Sequence, residues 1–211
     1  MLFLLFYVFY IDLFYIFVIV KVSIKNIKRV TVWRVVWDDE IQTVFFLTMV
    51  TIFSEITEVE NPFYKEINEV LLSFKDGSNK HKIDAIRNEK NKNKASYLKS
   101  KLSSVCFSGE FSRRAAKNII KHSGFACLDF DDLPSFEDAV CLRDSLQDNE
   151  YIYSAFISPS GNGVKAIVRI PPEIENHKKY YEAICETFDS YLDAKTKDIS
   201  RVCYESFDPD L

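Results

Sequence analysis

The sequence predicts an α+β fold in which an antiparallel-rich sheet of the ferredoxin or RRM-like kind carries helices. Three observations predict it. From residue 49 onward, short β-branched and aromatic runs alternate with segments of helical periodicity. One adjacent strand pair, Tyr151 to Ser158 and Val164 to Ile170, is joined by the tight turn Pro159-Ser160-Gly161-Asn162-Gly163. Such a hairpin argues against a doubly wound parallel sheet. The run Phe125 to Asp131 reads as an apolar strand with carboxylates near its end.

In chain order, Val50 to Phe53 reads as a first strand. Asn61-Pro62 is a turn signal, and Pro62 suits a helix start. Ile67, Val70, Leu71 and Phe74 then recur at helical spacing until Asp76-Gly77-Ser78 ends the run. Residues 79–101 hold eight basic residues against two acidic and predict helical pieces with a solvated, positively charged face. Val105 to Phe111 reads as strand plus turn. Residues 105–170 are expected to form the heart of one sheet, with the Asp129 strand central and the 151–170 hairpin beside it. Ser135 and Asp138 make a capping pair for a helix that contains Val140, Leu142 and Leu146. An amphipathic helix is expected over residues 174–192, and a last short strand over Ser200 to Tyr204.

The formal net charge is −4, so no global basic field advertises nucleic-acid binding, and any such contact must come from a local patch. Five cysteines lie scattered without CxxC spacing, which predicts buried thiols in place of disulfides or a zinc site.

Composition changes sharply at Met49. Residues 1–20 are apolar except for Asp12, and Lys21, Lys25, Lys28 and Arg29 follow. One reading is a transmembrane helix held at its cytoplasmic end by those charges. A second is a buried hydrophobic hairpin. A third is upstream translation of A/T-rich DNA, with Met49 as the natural start. Residues 1–48 are therefore set apart as a hydrophobic extension, and 49–211 as the functional domain. Expressed alone, 49–211 is expected to be soluble and to unfold cooperatively. An insoluble fragment beside a full chain that folds in water would overturn that division.

Three features could carry chemistry. Asp129 and Asp131 are spaced i, i+2, which places both on one face of a strand. Two neighbouring carboxylates repel and resist burial, and a divalent cation with oxygen ligands relieves both effects. The turn containing Ser158, Ser160, Gly161 and Gly163, followed by Lys165, could approach a phosphate closely and offer it a hydroxyl and a charge; the glycines alone favour an ordinary hairpin turn with a surface lysine. It is not a Walker loop, because GxxxxGK[ST] is absent and a strand follows. Asp198 and Arg201 add an acid and a fixed cation near the last strand, with Asp193 five residues before Asp198. His122 reads as a structural histidine.

Taken together and in order, KLSSVCFSGEFSRR, KHSGFACLDFDDL, AFISPSGNGVKAIVRI and KDISRVCYESFDPDL resemble the N-terminal domain of virulence-associated E (VirE) type proteins of bacteria and their mobile elements. That domain is similar to the primase-polymerase branch of the archaeo-eukaryotic primase superfamily. The resemblance spans about residues 50–211 and implies a primase-polymerase type of fold. It implies that Asp129, Asp131 and Asp198 bind catalytic Mg2+ or Mn2+, with Asp193 the second match for the third acid. It also implies that Ser158, Ser160, Gly161, Gly163, Lys165 and Arg201 bind a nucleotide triphosphate. Lys165 stands where the superfamily usually has a histidine. The activity implied is nucleotidyl transfer on single-stranded or primed DNA, in a mobile-element or phage-related replication protein working with a separately supplied helicase-type ATPase. Two alternatives are a non-catalytic nucleic-acid-binding or initiator module of the same fold, and a membrane-anchored protein. The expected location is cytoplasmic, or membrane-anchored if residues 1–20 span a bilayer.

Overall fold

Two compact units divide the chain, Met1–Leu47 and Thr48–Leu211. The computed structural model describes residues 4–10, 16–24, 27–37, 40–44, 48–188, 192–193 and 196–211. In the first unit, β1 (Leu4–Tyr10), β2 (Ile16–Ile24), β3 (Ile27–Trp37) and β4 (Glu40–Val44) form an antiparallel meander in the order β1-β2-β3-β4. The transmembrane helix, one of three readings for residues 1–20, is thus replaced by strands wherever those residues are described. The physical reason is composition: Phe, Tyr, Val and Ile dominate the run, and these side chains favour extended backbone. No helix among the described residues is long and apolar enough to cross a membrane.

The second unit is α+β, with every strand pair antiparallel. It opens with β5 (Met49–Phe53) and β6 (Phe63–Glu66), followed by α1 (Ile67–Lys75), α2 (Lys80–Arg87) and α3 (Lys92–Ser100). Next come β7 (Ser104–Cys106), β8 (Gly109–Phe111), β9 (Ile119–His122) and β10 (Phe125–Phe130). Helix α4 (Phe136–Gln147) leads to the hairpin β11 (Ile152–Ile157) and β12 (Val164–Arg169). The chain closes with α5 (His177–Cys185) and β13 (Cys203–Tyr204).

Two sheets, and not one, organise the core. The three-stranded sheet runs β10-β12-β11, and the four-stranded sheet runs β13-β7-β5-β6, with β8 and β9 a separate pair. The Asp129 strand is therefore at the edge of its sheet, and the Lys165 strand is central. Strand β10 is not left bare on its outer side. Leu192 bridges to Phe130, and the Asp193 amide donates to the Asp129 carbonyl at 2.8 Å.

Period-two alternation explains the layering. Leu128, Phe130, Val164, Ala166, Val168 and Ala155 face α4 and α5, where Ala139, Leu146 and Tyr181 complete one buried cluster. Phe125, Phe156 and Ile167 face the other way. They meet Val50, Ile52 and Val105 of the second sheet and Ile67, Val70 and Phe74 of α1. The three-stranded sheet is thus covered on both faces, by helices on one and by the second sheet on the other.

Local signals explain several boundaries. Ser135 caps α4 by accepting from the Asp138 amide at 3.1 Å, and its hydroxyl donates to the Asp138 carboxylate at 2.7 Å. Pro62, by contrast, starts no helix. The residues after it pair with β5 in the register Val50↔Lys65, and α1 begins only where the Glu66 carboxylate accepts from the Asn68 and Glu69 amides. The five cysteines are all free thiols, with Cys106 and Cys203 buried and Cys141 exposed.

Candidate functional site

The acid strand and the glycine turn meet at one end of the three-stranded sheet. Register makes Asp129 and Lys165 direct cross-strand partners. Both lie on the face that looks toward the second sheet, and both are buried, at 8 % and 9 % exposure. The Lys165 ammonium touches the Asp129 carboxylate and stands 3.5 Å from Asp131 Oδ1. Burial pushes the Lys165 ammonium down to about 8, while the neighbouring Cys127 and Cys203 side chains act in the opposite sense. Asp131 lies one residue beyond β10 with its side chain half exposed. Desolvation holds its carboxyl above the usual range. The charges of Asp132 and Asp193 push the same way, and those of Lys99 and Arg201 oppose them.

The turn is packed against the acids at close quarters. A methyl group at Gly163 would lie 2.7 Å from the Phe130 carbonyl and 3.0 Å from Asp131 Oδ1, so only glycine fits between the two strands there. Gly161 takes the left-handed conformation, with φ +85°. Arg87 of α2 clamps the turn from outside, donating to the carbonyls of Ser158 and Phe207 at 3.1 and 3.0 Å. Ser158 is buried, and its hydroxyl oxygen has no hydrogen-bond partner. Ser160 is exposed and receives the Lys99 ammonium at 3.3 Å.

The predicted site residues separate into two groups. Asp129, Asp131, Ser158, Ser160, Gly161, Gly163 and Lys165 come together at the β10–β12 end. Asp193 joins them through the hydrogen bond its backbone N–H donates to the Asp129 carbonyl and through its charge on Asp131. Asp198 lies exposed in a local turn, accepting from the Ser200 amide and hydroxyl at 2.7 and 2.6 Å. With Arg201 it lines a small crevice beside Cys127, His177, Tyr181 and Thr196, and from there the Arg201 charge acts on both Asp131 and Lys165. Asp193 is thus hydrogen-bonded to the acid strand at Asp129, whereas Asp198 shares a crevice with that strand at Cys127. Sequence reasoning passed over Lys99 and Arg87, and only the basic run 79–101 pointed toward them.

His122 and His177 form a buried pair with Nε2···Nδ1 at 2.9 Å. The Gly124 amide donates to His122 Nδ1 at 2.9 Å, so the neutral His122 carries its proton on Nε2 and donates to His177. Protonating His177 at Nδ1 would break that bond. Burial and the neighbouring His122 push His177 down to about 4, against the pull of Asp198, and burial lowers His122 too. Between about pH 6.5 and 4 the unfolded chain binds more protons than the native one, so stability is lost as pH falls through that window. The loss expected from His177 is on the order of 2–3 kcal/mol. Urea unfolding of the wild type and of His177→Gln at both ends of the window measures it. An identical slope in the two proteins would rule the pair out as its source.

A hard divalent cation fits the donors at this end in one respect. Asp131 is a half-exposed carboxylate on which Asp132 and Asp193 act against Lys99, Arg201 and the Lys165 ammonium 3.5 Å away. Asp129 is already compensated by Lys165. Among the described residues no three His, Cys, Asp or Glu side chains converge to hold a metal unaided. A cation there would complete its shell with substrate phosphate oxygens and water, as magnesium commonly does.

The stretch from α3 to the last residue carries all of these groups except Arg87, and its likeness to known proteins decides the assignment. The chain belongs to the BT4734-like family. Residues 97–211 match that family's N-terminal domain. This domain family is related to VirE-like N-terminal regions. The BT4734-like match takes in Lys99, the acid strand, the glycine turn, Lys165, Asp193 and Arg201, and it leaves β5, β6, α1 and α2 outside. No curated protein and no solved structure matches the chain.

Proposed function

We propose that residues 48–211 form a metal-dependent nucleotide-handling domain of the primase-polymerase type, which transfers nucleotides in a replication protein of a mobile element or phage. The observation that carries this reading is the juxtaposition at Gly163. A serine- and glycine-containing turn lies directly against the end of the acid strand, where Lys165 stands between the Asp129 and Asp131 carboxylates. Asp131, with Asp193 acting beside it, would hold Mg2+ or Mn2+ together with phosphate oxygens and water, while Lys165 stays on Asp129. A bound divalent cation would polarise the phosphate under attack and favour ionisation of the attacking hydroxyl. The chain's own contribution is placement. Arg87 holds the turn, Gly163 admits the strand, and Lys165 is the buried counter-charge to Asp129.

Calorimetry of the full chain with magnesium and a nucleoside triphosphate, followed by primer-extension assays, tests the proposal. Asp131→Asn is expected to weaken magnesium-dependent nucleotide binding at least about tenfold, since a charge-assisted ligand is worth more than 1.4 kcal/mol. Nucleotide binding that ignores magnesium and Asp131 would sink the catalytic reading.

One observation favours a second reading, a non-catalytic nucleic-acid-binding or initiator module. Lys165 already neutralises Asp129, as an internal ion pair would in a site that has no metal to bind. Salt-sensitive binding of single-stranded DNA, without magnesium-dependent nucleotide binding, would decide for that module.

A further inference from the structure

We infer that the phosphate-receiving cation of this site is Lys99, acting from α3 with Ser158 and Ser160 of the turn. This inference rests on the nucleotide-handling reading above and gives its phosphate contact to a residue that the sequence motifs leave out.

Lys165 is poorly placed for that role. Its ammonium is buried between Asp129 and Asp131, and drawing it toward a phosphate would strand Asp129 without a counter-charge. Lys99 has the opposite situation. It reaches across from α3 so that Nζ stands 3.3 Å from Ser160 Oγ and 5.2 Å above the Tyr204 ring. Four other lysines of the same basic stretch are neutralised by carboxylates: Lys80 by Asp84, Lys82 by Glu205, Lys94 by Glu89 and Lys101 by Glu55, all at 2.7–2.9 Å. No carboxylate pairs with Lys99 among the described residues, although it is half buried.

A half-buried ammonium whose nearest partner is a neutral hydroxyl, with Asp131 acting on it beyond contact distance, has a contact position open to an anion. The same turn supplies an independent sign of a missing ligand. Ser158 Oγ is enclosed, at 2 % exposure for the residue, and makes no hydrogen bond. A buried hydroxyl left in that state is destabilising unless something else meets it. The turn cannot easily shift to satisfy either group, because Arg87 holds its Ser158 carbonyl and Gly163 is wedged against the Phe130 carbonyl. The ligand chemistry that answers a free ammonium beside serine hydroxyls, next to carboxylates that attract a divalent cation, is a polyphosphate chain.

The test uses the full chain, with inorganic tripolyphosphate as the metal-free probe and a magnesium nucleoside triphosphate as the second. Lys99→Ala is expected to weaken tripolyphosphate binding at least tenfold, and Lys99→Arg to retain most of it. The Lys99→Ala melting curve is expected to match wild type, since no ion pair is lost. Asp131→Asn is expected to keep or strengthen tripolyphosphate binding while losing the magnesium-dependent part of nucleotide binding. Wild type that fails to bind tripolyphosphate, or Lys99→Ala that binds it as wild type does, overturns the inference. Lys99-dependent tripolyphosphate binding in a protein indifferent to magnesium and nucleotide would support the Lys99 contact while removing the nucleotide-handling reading.

Discussion

Replacing Arg143 with methionine is expected to cost about 3–5 kcal/mol of unfolding free energy, the usual penalty for stranding one partner of a buried ion pair. Arg143 leaves α4 at 5 % side-chain exposure and meets Asp208, at 1 %, with Nη1 2.6 Å from Oδ1. The other oxygen of that carboxylate accepts from the Ile157 amide at 2.9 Å. Ile157 ends β11, which is an edge strand, so Asp208 supplies a partner that the sheet does not. The Asp208 amide in turn donates to the Phe74 carbonyl at the end of α1. One carboxylate therefore ties the C-terminal tail to α4, to β11 and to α1. Arg143→Met leaves it charged, buried and still bound to the Ile157 amide. Adding Asp208→Asn removes the charge but keeps an acceptor, so the double variant is expected to recover a large part of the loss. Urea unfolding of wild type, both single variants and the double variant measures the coupling. A single-variant cost below about 1 kcal/mol would show that water reaches the pair.

Replacing Lys165 with methionine is expected to be about as damaging, again about 3–5 kcal/mol, because Asp129 then sits buried with no counter-charge. The reverse change, Asp129→Asn, has a different signature. The stranded lysine can shed its proton, and burial already pushes it down to about 8. With the folded value below the unfolded one, the unfolded chain holds more protons above about pH 8. Stability of Asp129→Asn is then expected to rise with pH from there toward about 10, the ordinary lysine range. Denaturant midpoints of the two variants at pH 7 and pH 9 separate the cases. A Lys165→Met protein as stable as wild type at pH 7 would mean that Asp129 is solvated in solution. The prediction also changes what acid variants can show. From spacing alone, Asp129 and Asp131 look like mutually repelling neighbours whose joint removal relieves strain. With Lys165 between them, losing Asp129 strands a cation, and Asp131 is the cleaner position for testing ligand binding.

Much of the site was legible from local rules. The spacing of Asp129 and Asp131, the turn Ser158 to Gly163 and the hairpin around it are all properties of a few consecutive residues. Ser135 and Asp138 announced the α4 cap in the same way. What failed did so where distant residues decide. Pro62 reads as a helix start, yet pairing with β5 makes the next four residues a strand. A single sheet with a central acid strand was the natural arrangement of the apolar runs. Nothing local reveals that β12 takes both hairpin and acid strand as neighbours, and that β5, β6, β7 and β13 assemble separately.

By itself the sequence determined the α+β class of residues 48–211, the order of the strands and helices around the acids, and the residue types that meet at the turn. Those follow from periodicity, turn chemistry and side-chain spacing, which act over a few residues at a time. Only the tertiary structure decided the partners. It paired Lys165 with Asp129, hydrogen-bonded Asp193 to the acid strand, brought Lys99 from sixty-one residues away to Ser160, and joined His122 to His177 and Arg143 to Asp208. The reason is that burial removes water from charged and polar groups, and each must then find its complement wherever packing has placed one. That search runs through space and not along the chain.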